Sequence, residues 1–210
     1  MGNNREPFEP NTVYHVYNHG NAEDNIFRED TNYGFFLKRY RKYIPPIADT
    51  YAYCLMPNHF HFMVRIKSEE ALVTFVKEKY PNKDPQSNKN PQGLRNPEGL
   101  SKKLSNLISH QFGTLFNSYT KSYNKFYDRR GSLFQNTFKR KSLTSNAYYI
   151  HLICYIHKNP IHHSFVDKIE DWPYSSYHSL LSKQPTKLKR KKALEWFGGR
   201  ENFIQAHKRD

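Results

Sequence analysis

Two histidines separated by one residue are the first candidates for chemistry in this chain. They are His59 and His61, in the stretch LMPNHFHFMV, where apolar residues flank them and a Pro-Asn pair precedes them. In a β-strand, residues i and i+2 lie on one face with Cα atoms ~6.5 Å apart, so both imidazoles could bind one ion while Phe60 and Phe62 point the other way. A metal needs more than two imidazoles. The motif alone favours two hydrogen-bonded histidines on a partly wet sheet face, and a metal site requires a further partner.

A second pair of candidates lies about 100 residues further along, in YIHKNP. Tyr155 and Asn159 are four residues apart, so they share one face of a predicted helix. Asn159 is polar and needs partners, so this face cannot be wholly core. A tyrosine beside an amide that binds a metal would be a nucleophile next to a Lewis acid. Without the histidines, the pair indicates a helix-end asparagine beneath an interfacial tyrosine.

The elements that must position these residues follow from residue patterns. Alternating β-branched and aromatic residues predict strands, helical spacing with capping residues predicts helices, and Pro-Asn predicts the turn of a hairpin. The predicted strands are at 12–18, 49–55, 59–66 and 132–143, and the predicted helices are at 30–43, 69–80, 100–125 and 147–159. This order predicts an α+β, ferredoxin-like split βαβ fold, with a mainly antiparallel sheet and helices packed on one face.

The predicted domain organisation is one domain at 1–182, followed by a basic C-terminal tail at 183–210 with a short helix near 193–197. The Pro- and Asn-rich stretch 81–99 is predicted to be an extended loop or insertion. No apolar run reaches the length of a membrane span, and the N-terminus lacks the apolar segment of a signal peptide. Two cysteines in apolar segments form no disulfide framework, so we expect a cytoplasmic protein.

The charge balance favours a polyanionic partner. Lys and Arg number 33 against 19 Asp and Glu, a formal net charge of +14, and aromatic residues make up 16% of the chain. A basic surface with interleaved aromatics is typical of nucleic-acid binding, because aromatic rings can stack on bases. The candidates for phosphate contacts are Arg129, Arg130, Lys139, Arg140 and Lys141. The basic run 187–192 is also expected to contact a DNA backbone.

With these residues in view, the sequence resembles a known family. The triplet HFH after MPN resembles the histidine–hydrophobic–histidine (HUH) motif of single-tyrosine transposases, and YIHKNP resembles the catalytic helix of their REP-associated branch. Further matching segments, within a resemblance that covers roughly 10–181, are YHVYNHGN, NIFRED, GSLFQNTFKRK and WPYSSY. The two motifs in this order are specific, whereas a histidine pair alone is not.

The resemblance implies a chemistry for matching positions. His59, His61 and Asn159 would bind a divalent metal, Mg²⁺ or Mn²⁺, and this nitrogen-containing ligand set suits Mn²⁺ better by hardness. Tyr155 would attack a phosphodiester of single-stranded or hairpin DNA, leaving a 5′-phosphotyrosine and a free 3′-hydroxyl for transposition or recombination. The chain would act as a homodimer or a monomer, away from membranes. Two alternatives stay open: a domesticated nucleic-acid-binding protein without catalysis, and a metal-dependent phosphodiesterase that uses water.

Other residues receive lesser roles. Tyr148 and Tyr149 are rival nucleophiles on the same helix, but Tyr148 has no asparagine four residues later. His157 points away from Tyr155 and is taken as structural or DNA-contacting. His15 could lie near the active face of the sheet, but it is interpreted as a hydrogen-bonded strand histidine. Trp172 and Tyr177 are expected to pack in the core.

Overall fold

The structure is a computed structural model that describes residues 6–81, 97–135 and 137–208. Four strands form one sheet in the order β2-β3-β1-β4, in which every neighbouring pair is antiparallel. The strands are β1 (Val13–His19), β2 (Ala48–Met56), β3 (His59–Ile66) and β4 (Lys139–Leu143). The α-helices are α1 (Asp30–Tyr43), α2 (Glu69–Lys79), α3 (Pro97–Phe126), α4 (Asn146–His162), α5 (Tyr177–Leu181), α6 (Arg190–Trp196) and α7 (Arg200–Lys208). Short 3₁₀ helices lie at Asn21–Glu23 and Ile169–Asp171.

The strand order is that of a split βαβ fold, so the predicted fold class is confirmed. The detail that differs is the placement of the helices, which cover both faces of the sheet. On one face Phe60 and Phe62 pack with residues of α1 and α3. On the other, Met63 packs with α4 and with Phe203 of α7. Right-handed crossovers put α1 and α3 on one side, whereas α4 follows the last strand and is free to cover the apolar opposite face.

The helix α4 carries half of the candidate chemistry. It begins after Ser145, whose hydroxyl accepts a hydrogen bond from the Tyr148 N–H. This cap satisfies one of the N–H groups left free at a helix start. The predicted end at residue 159, just before Pro160, is wrong by three residues, since α4 runs to His162. Proline lacks an N–H and is costly mainly in a helix interior, and here only the last residues follow it.

The strand β4 is shorter than predicted. It begins at Lys139, although the pattern predicted a strand from 132. Phe134 makes only an isolated bridge to Gly20 at the end of β1. Thr137 has a φ of 62°, in the left-handed region, which interrupts an extended strand. The sheet therefore ends in a short edge strand that is tied to β1 at 139–143.

The C-terminal segment packs against the rest of the chain. Ala193, Phe197 and Phe203 are buried in the same apolar cluster as Ile153 and Ile156 of α4. The sequence predicted one short helix here and missed α7. Lys189, within the basic run 187–192, forms an ion pair inside the protein, since its Nζ lies 3.3 Å from Asp49 Oδ1. The boundary at 182 stays a prediction, but residues 190–208 contribute side chains to this apolar cluster, which is the second core of the fold.

Two further sequence expectations concern chemistry outside the site. Within the part of the chain that the structure describes, both cysteines are free thiols. No described helix combines the length and the apolar character that a membrane crossing requires. The predicted loop at 81–99 falls mostly on residues 82–96, which lie outside the described residues.

Candidate active site

A row of histidine and tyrosine side chains lies on the sheet face beneath α4. His59 and His61 stand two apart on β3 and share this face, as the sequence predicted. On the neighbouring β1, Tyr17 pairs with His61 and His19 pairs with His59 in the register. Residues directly opposite each other in an antiparallel pair point to the same face. The site face therefore carries histidines from two adjacent strands.

His59 is buried between two asparagines. Its Nδ1 lies 2.7 Å from Asn58 Oδ1, and its Nε2 lies 2.8 Å from Asn159 Oδ1 on α4. Burial lowers the pKa of His59 to about 4, although the hydrogen bond with Asn159 acts in the opposite direction. A neutral imidazole has one N–H, so it can donate to only one of the two oxygens. The other nitrogen presents a lone pair to an oxygen unless that asparagine turns its NH₂ toward the ring or a cation lies between the two.

His61 is the second buried imidazole. Its Nδ1 lies 2.9 Å from Nε2 of His15 on β1. Burial holds the pKa of His61 well below its usual range, and the neighbouring histidines His15 and His59 lower it further. The ring is therefore neutral near pH 7, which is the form that binds metals.

Tyr155 lies over these histidines. Its ring centroid is 5.5 Å from that of His61 and 6.1 Å from that of His15, edge-on in both cases. The side chain is 37% exposed, so a phosphodiester could approach its hydroxyl. Asn159, one turn later on the same helix face, is only 1% exposed. The predicted sharing of one helix face by Tyr155 and Asn159 thus corresponds to two side chains directed at one sheet face.

The residues present fit a divalent metal. The 2.8 Å between His59 Nε2 and Asn159 Oδ1 is close to the ~3 Å that separates adjacent ligands of an octahedral ion with bonds of about 2.1 Å. Asn159 Nδ2 is buried without a hydrogen-bond partner among the described residues. The described ranges hold no group of three His, Cys, Asp or Glu side chains arranged to hold an ion. Two imidazoles and an amide oxygen would therefore leave positions for water or a phosphate oxygen.

An open cavity of about 390 Å³ gives access to the site. A larger cavity, of about 560 Å³, lies at the edge of β2, but it contains none of the candidate catalytic or metal-binding side chains. We assign the site to the smaller one because the groups able to do chemistry converge there. Its lining residues are His15, Tyr17, His19, His59, His61, His151, Leu152, Tyr155 and His163.

The candidate phosphate contacts on β4 divide between the two faces. Lys139 and Lys141 pair with Tyr17 and His15 in the register, so they point to the site face. Their charge reaches the site, since Lys141 lowers the pKa of His15 and Lys139 lowers that of His19, in both cases after burial as the larger cause. The two lysines therefore lie beside the β1 residues of the site.

Arg140, between these lysines, points into the opposite core. It is 9% exposed, its Nε donates to the backbone carbonyl of Glu6, and its guanidinium lies over the Phe8 ring at 4.5 Å. Arg129 forms an ion pair with Asp24. Of the five arginines and lysines singled out, Arg129 and Arg140 thus have structural partners. Arg130 is exposed, on the loop before β4.

The structure also places in the site residues that the sequence did not assign to it. His15 was interpreted as a hydrogen-bonded strand histidine; it is hydrogen-bonded, and its partner is His61 itself. Tyr17, His19 and His163 were not considered. The signal for the first two was the alternation of His15, Tyr17 and His19 along β1, which places all three on one face. His163 follows α4, and its ring lies 4.9 Å from that of His59.

His157 is structural. It is fully buried, its Nε2 lies 2.7 Å from Ser176 Oγ, and its Nδ1 lies 2.8 Å from His207 Nε2. These contacts join α4 to α7 on the far side from Tyr155. Trp172 and Tyr177 pack in the second core, as expected.

The rival tyrosines do not reach the histidines. Tyr148 is 62% exposed at the start of α4. Tyr149 packs its ring against Trp196, with centroids 4.8 Å apart, and its hydroxyl donates to the Leu143 carbonyl. Among the tyrosines of α4, Tyr155 alone lines the site cavity.

Comparisons with known proteins bear on the family resemblance and the fold. No protein-family model matches the chain. A curated Haemophilus influenzae protein described as "Putative REP-associated tyrosine transposase" is 20% identical over 134 residues, which cover 62% of this chain but only 59% of that relative. A solved structure described as "Structure of the REP associates tyrosine transposase bound to a REP hairpin" matches with a TM-score of 0.57 and 15% identity, over 88% of this chain and 89% of the other. The resemblance seen in the motifs is therefore confirmed, and the chain has the fold of that transposase.

Proposed function

We propose that this chain cleaves and joins single-stranded DNA through a covalent bond to Tyr155, as a transposase or a processor of repeated hairpins. The observation that carries the proposal is the convergence of Tyr155 and Asn159 from α4 upon His59 and His61 from β3. The names of the two relatives support the reaction class, and the hairpin named with the solved structure supports a hairpin substrate.

The chemistry at Tyr155 is a transesterification. Its hydroxyl oxygen attacks the phosphorus and forms a Tyr–O–P bond, while the bond from phosphorus to the 3′-oxygen breaks. The phenol loses its proton and the departing 3′-oxygen gains one, so no oxidant or ATP is needed. A second 3′-hydroxyl reverses the step and joins two strands, because the covalent intermediate conserves the phosphodiester.

A metal is proposed at His59, His61 and Asn159. Mn²⁺ or Mg²⁺ bound there would polarise the scissile phosphate and stabilise the charge that develops on it. Both histidines are neutral because burial lowers the pKa of each, so a metal ion would not have to compete with the proton of an imidazolium. An unperturbed phenol is ionised to roughly one part in a thousand at pH 7, a handicap of ~4 kcal/mol, so positioning beside an electrophile is essential.

The strand β4 offers a path for the DNA backbone. Lys139 and Lys141 lie on the edge strand of the site face, and β1 separates them from the histidines of β3. Tyr17 is partly exposed between them and Tyr155, and it could stack on a base. A strand that lies along this edge would place a phosphate between the lysines and the Tyr155 hydroxyl.

The test is an adduct assay with a matched control. DNA hairpins with single-stranded flanks and a 3′-end label are incubated with protein and Mn²⁺, then resolved under denaturing conditions. The wild type is expected to retain the label covalently, whereas Tyr155→Phe forms no adduct. Tyr148→Phe, on the same helix but exposed, is expected to behave as the wild type.

The other results of this assay identify the alternatives. Cleavage without an adduct in the wild type indicates a phosphodiesterase that uses water. Binding without cleavage indicates a nucleic-acid-binding protein that has lost catalysis. Equal cleavage by Tyr155→Phe and the wild type would refute the tyrosine mechanism, and neither binding nor cleavage would refute the whole proposal.

A further inference from the structure

His15 is connected to the candidate metal site through one short contact. Its Nε2 lies 2.9 Å from Nδ1 of His61. Two neutral imidazoles in contact share one proton, so one ring donates and the other accepts.

Only one of the two arrangements leaves His61 able to bind a metal. If His15 donates its Nε2–H, then His61 accepts at Nδ1 and must carry its own proton on Nε2. If His61 donates its Nδ1–H, the lone pair of His61 Nε2 is free. The contact at Nδ1 also excludes that nitrogen as the ligand.

We infer that His15 is a positioning residue, which accepts the Nδ1–H of His61 and so holds the Nε2 lone pair of His61 toward the metal. The inference rests on the proposed function, because it requires His61 to be a ligand. An outer hydrogen-bond partner of this kind sets the tautomer and the orientation of a metal-binding imidazole.

The surroundings of His15 hold it in place for this role. Tyr17 stacks on its ring, with centroids 4.7 Å apart and planes 25° apart. Tyr155 meets it edge-on from above, at 6.1 Å. His15 also lies on a central strand, where it pairs with Met63 of β3 and Lys141 of β4 in the register, so its backbone is held from both sides.

The contacts of His19 differ from those of His15. It stands four residues later on the same strand and face, and its ring stacks on His59 with centroids 4.7 Å apart. Among the described contacts, however, it makes no nitrogen-to-nitrogen hydrogen bond to His59, whose two ring nitrogens face Asn58 and Asn159. Each metal-ligand candidate thus has one neighbouring histidine on β1, but only His15 is hydrogen-bonded to its partner.

The experiment measures Mn²⁺ affinity of the DNA-free protein by titration with electron paramagnetic resonance detection. His15→Phe keeps a ring for Tyr17 to stack on but removes the acceptor, and it is expected to weaken Mn²⁺ binding about 10- to 100-fold. His15→Gln keeps an acceptor at similar reach and should recover most of the affinity. His110→Phe, which removes an exposed imidazole from α3 on the other face of the sheet, should stay within about threefold of the wild type.

A second readout follows the tautomer directly. In ¹⁵N–¹H spectra of the metal-free wild type, His61 is expected to be protonated at Nδ1, and in His15→Phe this preference should be lost. Wild-type affinity in His15→Phe would overturn the inference, as would an equal loss in His15→Gln or in His110→Phe. If the wild type itself binds no Mn²⁺, the metal part of the proposed function fails as well, so the two failures are distinguishable.

Discussion

Acid is expected to destabilise this protein well above the pH at which carboxylates titrate. Burial lowers the pKa of His15, His59 and His207 to about 4 from an ordinary value of 6.5. Between these two values the unfolded chain binds a proton at each position and the folded chain does not. The stabilisation of the neutral rings is therefore complete above pH 6.5 and is lost progressively as the pH falls toward 4.

The size of the effect follows from the same pKa values. Between pH 7 and 5.5, proton linkage removes about 1.2 kcal/mol for each such histidine, or about 4 kcal/mol for the three together. That is a large part of the 5–15 kcal/mol that typically stabilises a domain. Buried His61 and His157, whose pKa values are also lowered, act in the same direction.

The assay is urea unfolding of metal-free protein in chelator at pH 7.0, 6.5, 6.0 and 5.5. Trp172, which is 9% exposed in the second core, reports unfolding by fluorescence. The slope of free energy against pH near 5.5 should correspond to an uptake of at least about three protons, and His15→Gln should reduce it by about one. A wild-type loss below about 1 kcal/mol over this range would refute the assignment of neutral buried histidines.

Two further predictions concern packing and DNA contact. Phe203→Ala, at a fully buried position on α7, should lower the free energy of unfolding by about 3–5 kcal/mol, whereas Phe165→Ala, at a 47% exposed position, should cost under about 1 kcal/mol, as urea midpoints would show. Replacing both Lys139 and Lys141 by Gln should reduce the salt slope of single-stranded DNA binding by about 1.4, while the same change at 102 and 103, on α3 across the sheet, should leave the slope unchanged. Equal effects of target and control would contradict either prediction.

The packing of the C-terminal helices changes how the basic run should be tested. Deleting 187–192 would interrupt α6 and expose the apolar cluster around Ala193 and Phe197. Loss of DNA binding after such a deletion would therefore report unfolding as readily as a lost phosphate contact. Charge-neutral substitutions at exposed lysines such as Lys187 and Lys191 test the same idea without removing the core.

Local patterns carried much of the fold. The spacing of apolar residues and the helix caps predicted α1 at the observed residues. The same patterns predicted β3, the hairpin turn and α2 to within one or two residues. They erred where geometry departs from pattern: at Thr137, whose positive φ interrupts the predicted strand, and at α7, whose sequence is mostly polar around Phe203. The burial of α7 depends on an apolar sheet face that lies far away in the sequence.

The candidate site shows the same division between what local patterns predict and what tertiary packing decides. The sequence by itself determined that His59 and His61 share a strand face and that Tyr155 and Asn159 share a helix face, because both are consequences of backbone periodicity. Only the tertiary structure decided that these faces meet, that His15 contacts His61 and that Arg140 turns into the core. The physical reason is that these contacts depend on strand register and helix packing between residues 46 to 134 positions apart, which no local pattern encodes.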